Sequence, residues 1–264
     1  KSYLNSTKAA AILVNDNFKN NQKKKTIIRV NNPALSFINI INMFFPPKKI
    51  SQSIHPSSII DKKSQLGNNI EIGPHVIIEN STKIGANIKI GANSFIGDNC
   101  IIKNGTIIKP NVSIYSNTII GENCLIDSGT VIGADGYGLV SDNNIHYKIP
   151  HIGNVIIGDD VWVGANCTID RGTINNTIIG SGSKLDNLIH IAHNVIIGEN
   201  CLMAAQVGIA GSTKIEDNVT IAGQVGIIGH LTIGKNSIIA SKSAVYQSLE
   251  ANSFVSGIPA RPHK

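Results

Sequence analysis

Aromatic residues make up only 5% of this 264-residue chain, with a single tryptophan, and charged residues only 15%. With so little aromatic bulk the interior must be aliphatic. Ile, Val, Gly and Asn dominate, which argues against a helical bundle and for a repetitive β architecture with many tight turns. A hydrophobic content of 42% is enough for a real core and excludes disorder as the default. No apolar run approaches the ~18–20 residues of a membrane span, and the first residues lack a charged-then-apolar leader, so the chain reads as soluble. The formal charge is +6, yet no basic block exceeds Lys23–Lys25, and nucleic-acid binding is not expected. The chain starts at Lys1 rather than Met, and it reads as lacking an upstream segment.

What is present is a six-residue clock. From Ile54 an aliphatic residue returns every six positions through Ile60, Leu66, Ile72 and onward to Ile132. The clock pauses over Gly133–Ile156, resumes at Ile157, Val163 and Ile169, slips by four residues across Arg171–Asn176, and runs again from Ile179 to Val245. Two positions before each beat stands a second inward residue, small or β-branched, such as Ser94, Thr106, Val112 or Thr130. Gly, Asp and Asn fill the remaining places, as in Ile96-Gly97-Asp98-Asn99-Cys100, where the backbone must turn sharply. This is the pattern of a parallel β-helix: each hexad makes one side, three sides close a coil, and stacked coils bury an aliphatic column that no single coil could bury. Roughly 29 hexads predict about ten coils, a prism on the order of 45 Å tall. All four cysteines, Cys100, Cys124, Cys167 and Cys201, fall on the small inward position and read as reduced core residues, with no Cys-x-x-Cys metal pattern.

The segment before the clock differs in composition, for the first glycine is Gly67. Ala9–Val14 and Thr26–Val30 read as short strands. Asn32 followed by Pro33 is a helix start, and Leu35, Ile38, Ile41 and Phe45 recur at helical spacing until Pro46 and Pro47 stop the run. The expectation is a small α/β unit ahead of a mainly β prism.

Solenoids extrude loops where the repeat breaks, and function gathers there. The first break carries Gly133-Ala134-Asp135-Gly136-Tyr137-Gly138 and then Tyr147-Lys148-Ile149-Pro150-His151; the second carries Asp170-Arg171-Gly172-Thr173. Three histidines lie in the second repeat block: His190, His193 and His230. His193 and His230 are separated by two coils plus one residue, which places them on one side of the prism about 10 Å apart. A lone surface histidine on a repeat protein is an ordinary solvated residue. Two at neighbouring levels of one side suit a general base that takes a proton from an attacking amine or hydroxyl. His190 and His193 flank the inward Ile191 and no third ligand stands beside them, so no metal site is expected.

Three stretches in order, Ile132–Gly138, Thr168-Ile169-Asp170-Arg171-Gly172 and Asp186-Asn187-Leu188-Ile189-His190-Ile191-Ala192-His193-Asn194, closely resemble those of UDP-3-O-acylglucosamine N-acyltransferases, and Ser256-Gly257-Ile258-Pro259-Ala260 fits too. The sister UDP-N-acetylglucosamine O-acyltransferases share the prism and an Ala-His pair but lack the Gly-Ala-Asp-Gly loop and the leading α/β segment. The resemblance implies a left-handed coil. It also implies a partial uridine-binding-type domain at 1–50, an acyltransferase β-helix at 51–257 and a truncated tail at 258–264. The activity implied is transfer of a 3-hydroxyacyl chain from acyl carrier protein to the 2-amine of a UDP-3-O-acylglucosamine, in lipid A synthesis in the cytoplasm or at the inner membrane's edge. His193 matches the family's base, Asp186 a residue expected to orient it, His230 a second histidine assisting substrate or phosphopantetheine, and Gly211 a backbone N–H oxyanion donor. Asn187 and His190 match substrate-binding positions. No bound cofactor is implied, since the phosphopantetheine thioester of acyl carrier protein brings the acyl group. The site is expected in the groove between prisms of a homotrimer. In the family an uracil-reading stretch precedes the residues matched by Lys1-Ser2-Tyr3-Leu4, and a C-terminal helix follows those matched here. Two other readings stay open: a scaffold that has lost catalysis, and an acetyl-CoA-dependent acyltransferase.

Overall fold

The computed structural model describes residues 6–19, 25–46, 48 and 50–263; Lys1 to Leu4, Lys23, Lys24 and Pro47, which entered the sequence reading, lie outside the described residues. The chain divides into two compact units, Lys1–Lys49 and Ile50–Lys264. In the first, strands β1 (Ala11–Asn15) and β2 (Thr26–Val30) pair in parallel, and helix α1 (Pro33–Phe44) follows. Asn32 caps the helix as its sequence suggests: its side-chain oxygen accepts from the Leu35 N–H at 3.1 Å, and Pro33 occupies the first turn where no donor is needed. The first strand begins two residues later than the sequence suggests. None of the helix's residues is buried, and Phe37, Met43 and Phe44 line an apolar hollow of about 970 Å³ within this unit.

The second unit is the expected left-handed parallel β-helix. Two-residue strands stack into three sheets of ten, nine and twelve strands. The beat residues pair in register from coil to coil, as in Ile78↔Ile96↔Ile114 on one face and Ile72↔Ile90↔Ile108 on another. Burial explains the strictness of the clock: Ile96, Ile114, Ile120 and Ile132 have no exposed surface, and each such side chain contributes about 1.5–3 kcal/mol when removed from water. The second inward position tolerates hydroxyls because the coil supplies acceptors. Thr82, Thr106 and Thr130 donate to the carbonyls of Gly97, Gly121 and Gly164 at 2.7–2.9 Å. The four cysteines occupy this position, buried and free, and burial pushes the Cys100 thiol up to about 11.

Most corners from Asn69 on turn through one left-handed residue, the one before the small inward position. Asn fills it at 87, 93, 99, 111, 117 and 123, because a short amide side chain tolerates positive φ better than most. The two breaks in the clock are stacked on adjacent coils of the ten-strand face. There the strand Val131–Asp135 pairs with Thr168–Arg171 across a register shift, and Arg171 donates to the carbonyls of Gly133 at 2.6 Å and Ser116 at 3.0 Å, clipping the breaks to the prism. The first break is more ordered than a glycine-rich loop suggests. It forms an antiparallel hairpin, Leu139–Asp142 with Ile145–Lys148, turned by Asn143 and Asn144, both at positive φ. At the far end, Arg261–Pro262 folds back to pair antiparallel with Phe254–Ser256, so the segment after 257 is part of the prism's end rather than a loose tail. Among the described residues, no helix is long and apolar enough to cross a membrane.

Candidate functional site

The ten-strand face carries a vertical column of outward residues, Thr168, His190, Gly208, Gly226 and Ala244, paired in register on successive coils. Below His190 the column loses its side chains. A Cβ built on Gly208 or Gly226 would meet nothing within 4 Å, so these glycines open a groove rather than relieve a clash. The groove is about 560 Å³, walled by Tyr137 from the first break and Tyr246 from the last full coil, with His193, Gly211 and Gly229 along its edge.

His193 sits at the corner that follows the strand His190–Ile191, half-buried. Its Nδ1 lies 3.1 Å from the Asn194 side-chain oxygen, which also accepts the Thr173 N–H at 3.0 Å. An oxygen already accepting a backbone N–H fixes the amide's orientation, so His193 Nδ1 must donate, and in the neutral ring Nε2 keeps its lone pair. A Cβ on Gly211, one coil further, would come within 2.7 Å of His193 Cε1 and Nε2. Glycine at 211 is therefore what lets the imidazole lie over the corner. From the other side the first break closes on the ring: a Cβ on Gly136 would sit 2.8 Å from His193 Cβ and 3.0 Å from His151 Nε2.

Around this imidazole the structure gathers three residues for which the sequence had suggested no role. His151 is buried, stands edge-on to His193 with ring centroids 5.3 Å apart, and donates through Nδ1 to the Ile149 carbonyl, 2.9 Å away. Because a carbonyl only accepts, Nδ1 is the donor, and the buried Nε2 is left without a partner. Asp170 is buried on the coil above; desolvation pushes its carboxyl above the ordinary range, against the opposing pull of His190, His193 and His151. Its Oδ2 lies 3.8 Å from His190 Nε2, while His190 Nδ1 meets the Thr168 hydroxyl at 2.8 Å. Asn194 is the third. Asp135, at the start of the hairpin, is held low by the Lys148 ammonium 2.6 Å away. Asp170 and His151 both lie in segments where the clock fails, and that coincidence was the available signal.

Of the residues singled out from the sequence, His190, His193 and Gly211 line the groove together. His230 occupies the left-handed corner position two coils below His193, exposed, with its N–H on the Gly211 carbonyl at 3.1 Å. Asp186 does not orient His193 within this chain. Seven residues are one hexad plus one, so Asp186 stands one side earlier around the prism, exposed, accepting the Asn187 N–H at 2.7 Å and facing a second groove with Trp162 and Leu202. Asn187 is at that same corner and its side-chain oxygen caps the Ala165 N–H at 2.7 Å. Among the described residues, no three His, Cys, Asp or Glu side chains group as a metal site would require.

A hexapeptide β-helix with an imidazole over a glycine-floored groove defines the class as that of the hexapeptide-repeat transferases. The model of bacterial transferase hexapeptide repeats matches residues 99–134 and 176–211, and that of the succinyl-transferase hexapeptide repeat matches 75–110 and 154–187. The chain carries the repeats of this family. Over 188 residues it is 47% identical to UDP-3-O-acylglucosamine N-acyltransferase 1 of Legionella pneumophila strain Paris, covering 71% of this chain and 53% of the relative. It is 39% identical over 195 residues to the UDP-3-O-acylglucosamine N-acyltransferase of Coxiella burnetii strain RSA 493, covering 74% and 57%. The chain thus spans about half the length of the curated relatives it matches. Among solved structures, a UDP-N-acetylglucosamine O-acyltransferase from Moraxella catarrhalis superposes with a TM-score of 0.62 at 29% identity, over 80% of this chain and 73% of that one. The resemblance read from the three loop motifs therefore holds: the homologues are UDP-3-O-acylglucosamine N-acyltransferases.

Proposed function

We propose that this chain carries the catalytic β-helix of a UDP-3-O-acylglucosamine N-acyltransferase of lipid A synthesis, acting in the cytoplasm and using a 3-hydroxyacyl thioester of acyl carrier protein. The observation that carries the reading is the His193 imidazole, with Nδ1 committed to Asn194 and Nε2 beside Gly211 at the edge of an apolar groove. The sugar 2-amine attacks the thioester carbonyl and the C–N bond forms. Nε2 takes the amine proton, the carbonyl oxygen becomes an oxyanion facing the Gly211 N–H, and collapse breaks the C–S bond. The proton then passes to the leaving thiolate, so the cycle needs neither a metal nor a covalent enzyme intermediate.

In this reading the bare column Gly208, Gly226 and Ala244 holds an acyl chain, and His190 and the exposed His230 meet the sugar and the phosphopantetheine arm. A groove open to solvent on one prism face becomes a closed site when a second prism covers it, which a homotrimer accomplishes three times by symmetry. Asp186 and Asn187, one side round the prism, would then join the site from a neighbouring protomer. The test is a mass-spectrometric assay with UDP-3-O-acylglucosamine and a 3-hydroxyacyl carrier protein. The diacylated sugar is expected from the wild type, with a loss of about 10²–10⁴ for His193→Ala. An inactive but folded wild type would favour a scaffold, and turnover with acetyl-CoA alone would reassign the donor.

A further inference from the structure

Some corners of this prism carry a cap that the groove corner lacks. At five of them the backbone N–H two residues past the beat is accepted by the side-chain oxygen of an Asp or Asn at the corresponding position one coil on. Asn80 donates to Asp98 at 3.0 Å, Ala86 to Asn104 at 2.8 Å, Glu122 to Asp159 at 2.8 Å, Ala165 to Asn187 at 2.7 Å and Glu199 to Asp217 at 2.8 Å. At the groove corner the same position holds His193, then Gly211, then Gly229. Gly229 has no side chain with which to cap the Gly211 N–H.

Steric need explains the two glycines unequally. At Gly211 a Cβ would collide with the His193 ring at 2.7 Å. At Gly229 a Cβ would meet only one close atom, the Gly211 carbonyl oxygen at 2.9 Å, with the next neighbours at 3.9 Å. No side chain needs the space, and Gly229 lines the same groove. We propose that Gly229 is a positioning residue by omission: it withholds the cap that an Asp or Asn gives the equivalent N–H at five other corners, leaving the Gly211 N–H free for the oxyanion. This rests on the acyl-transfer reading given above.

The test compares Gly229→Asn with Gly229→Ala in the full chain. Both add a Cβ against the Gly211 carbonyl, and only the first adds a cap. If the proposal is right, a crystal structure of Gly229→Asn shows the introduced amide oxygen within about 3 Å of the Gly211 nitrogen. Its kcat falls about 10²–10³-fold below that of Gly229→Ala, with KM little different between the two, as for loss of one oxyanion donor. Equal losses in the two variants would reduce Gly229 to a steric requirement and overturn the proposal, and so would a capped Gly211 with undiminished kcat. Should Gly229→Asn fail to fold, Gly229→Ser replaces it, since Ser181 caps the Asp159 N–H at 3.0 Å. A wild type without N-acyl transfer, or a fully active His193→Ala, would instead overturn the functional reading, while the crystal structure still decides whether the cap forms.

Discussion

One face of the prism, followed from end to end, compares two regions built on the same backbone. Its outward column reads Ile59, Ile77, Phe95, Ser113 and Val131 in the first half, then Thr168, His190, Gly208, Gly226 and Ala244 in the second, every pair in register. The inward residues hardly change across the boundary: Ile78, Ile96 and Ile114 above, Ile191, Ile209 and Ile227 below, all buried. The difference is confined to what faces out. The first half keeps bulky side chains and the second removes them, and the two breaks in the repeat lie where one half gives way to the other. A site can be made on a solenoid by deleting side chains from a surface whose rigidity is supplied by the column behind it.

The comparison breaks most visibly at the histidines. His75 lies at a corner of the first half and His193 at a corner of the second. Changing each to Ala should cost activity about 10²–10⁴-fold at 193 and nothing measurable at 75, and steady-state turnover checks both. Next in size is a core truncation. Ile108→Ala, on the twelve-strand face away from the His193 groove, should lower unfolding free energy by about 2–5 kcal/mol, read by denaturant titration, because the stacked neighbours cannot collapse into the gap. Turnover per folded molecule should stay near wild type.

Giving the second half the surface of the first is the sharper test. Gly226→Val places a β-branched residue where nothing lies within 4 Å, so the fold should tolerate it or gain slightly. The filled groove should lose about 10–100-fold in kcat/KM with a long acyl donor and much less with a short one. The smallest effect concerns Asp170, whose carboxyl is pushed upward chiefly by desolvation. The unfolded chain ionises this group at about pH 4 and the folded chain at higher pH, so the group weakens the fold as pH rises through that window. Asp170→Asn should therefore raise the melting temperature by a few degrees at neutral pH, and the gain should vanish below about pH 4. Thermal melts across pH 3–8 would show a constant difference instead if burial of the charge were not the cause.

Much of this protein was legible because a hexapeptide repeat is a local code. The clock assigned the inward column and the four core cysteines, and the Asn32-Pro33 pair the helix start, without reference to any distant residue. His193, His190 and Gly211 could be placed at one site by counting coils, since eighteen residues return the chain to the same point one layer on. The same counting sets Asp186 one side earlier, at another corner. Counting failed inside the breaks. There the hairpin folds Gly136 and His151 onto His193, and Arg171 ties its start back to Ser116, contacts no period predicts.

The sequence by itself determined the coil, its handed turns and the residues that fill it, because each depends on side-chain size and backbone conformation repeated at fixed local spacing. The tertiary structure alone decided what surrounds the imidazole: Asn194 on Nδ1, His151 against its edge, Asp170 buried nearby and two open glycines beneath. Those neighbours come from segments where the repeat is interrupted or from coils above and below. Their positions follow from how the chain closes in space, which a local periodicity does not encode.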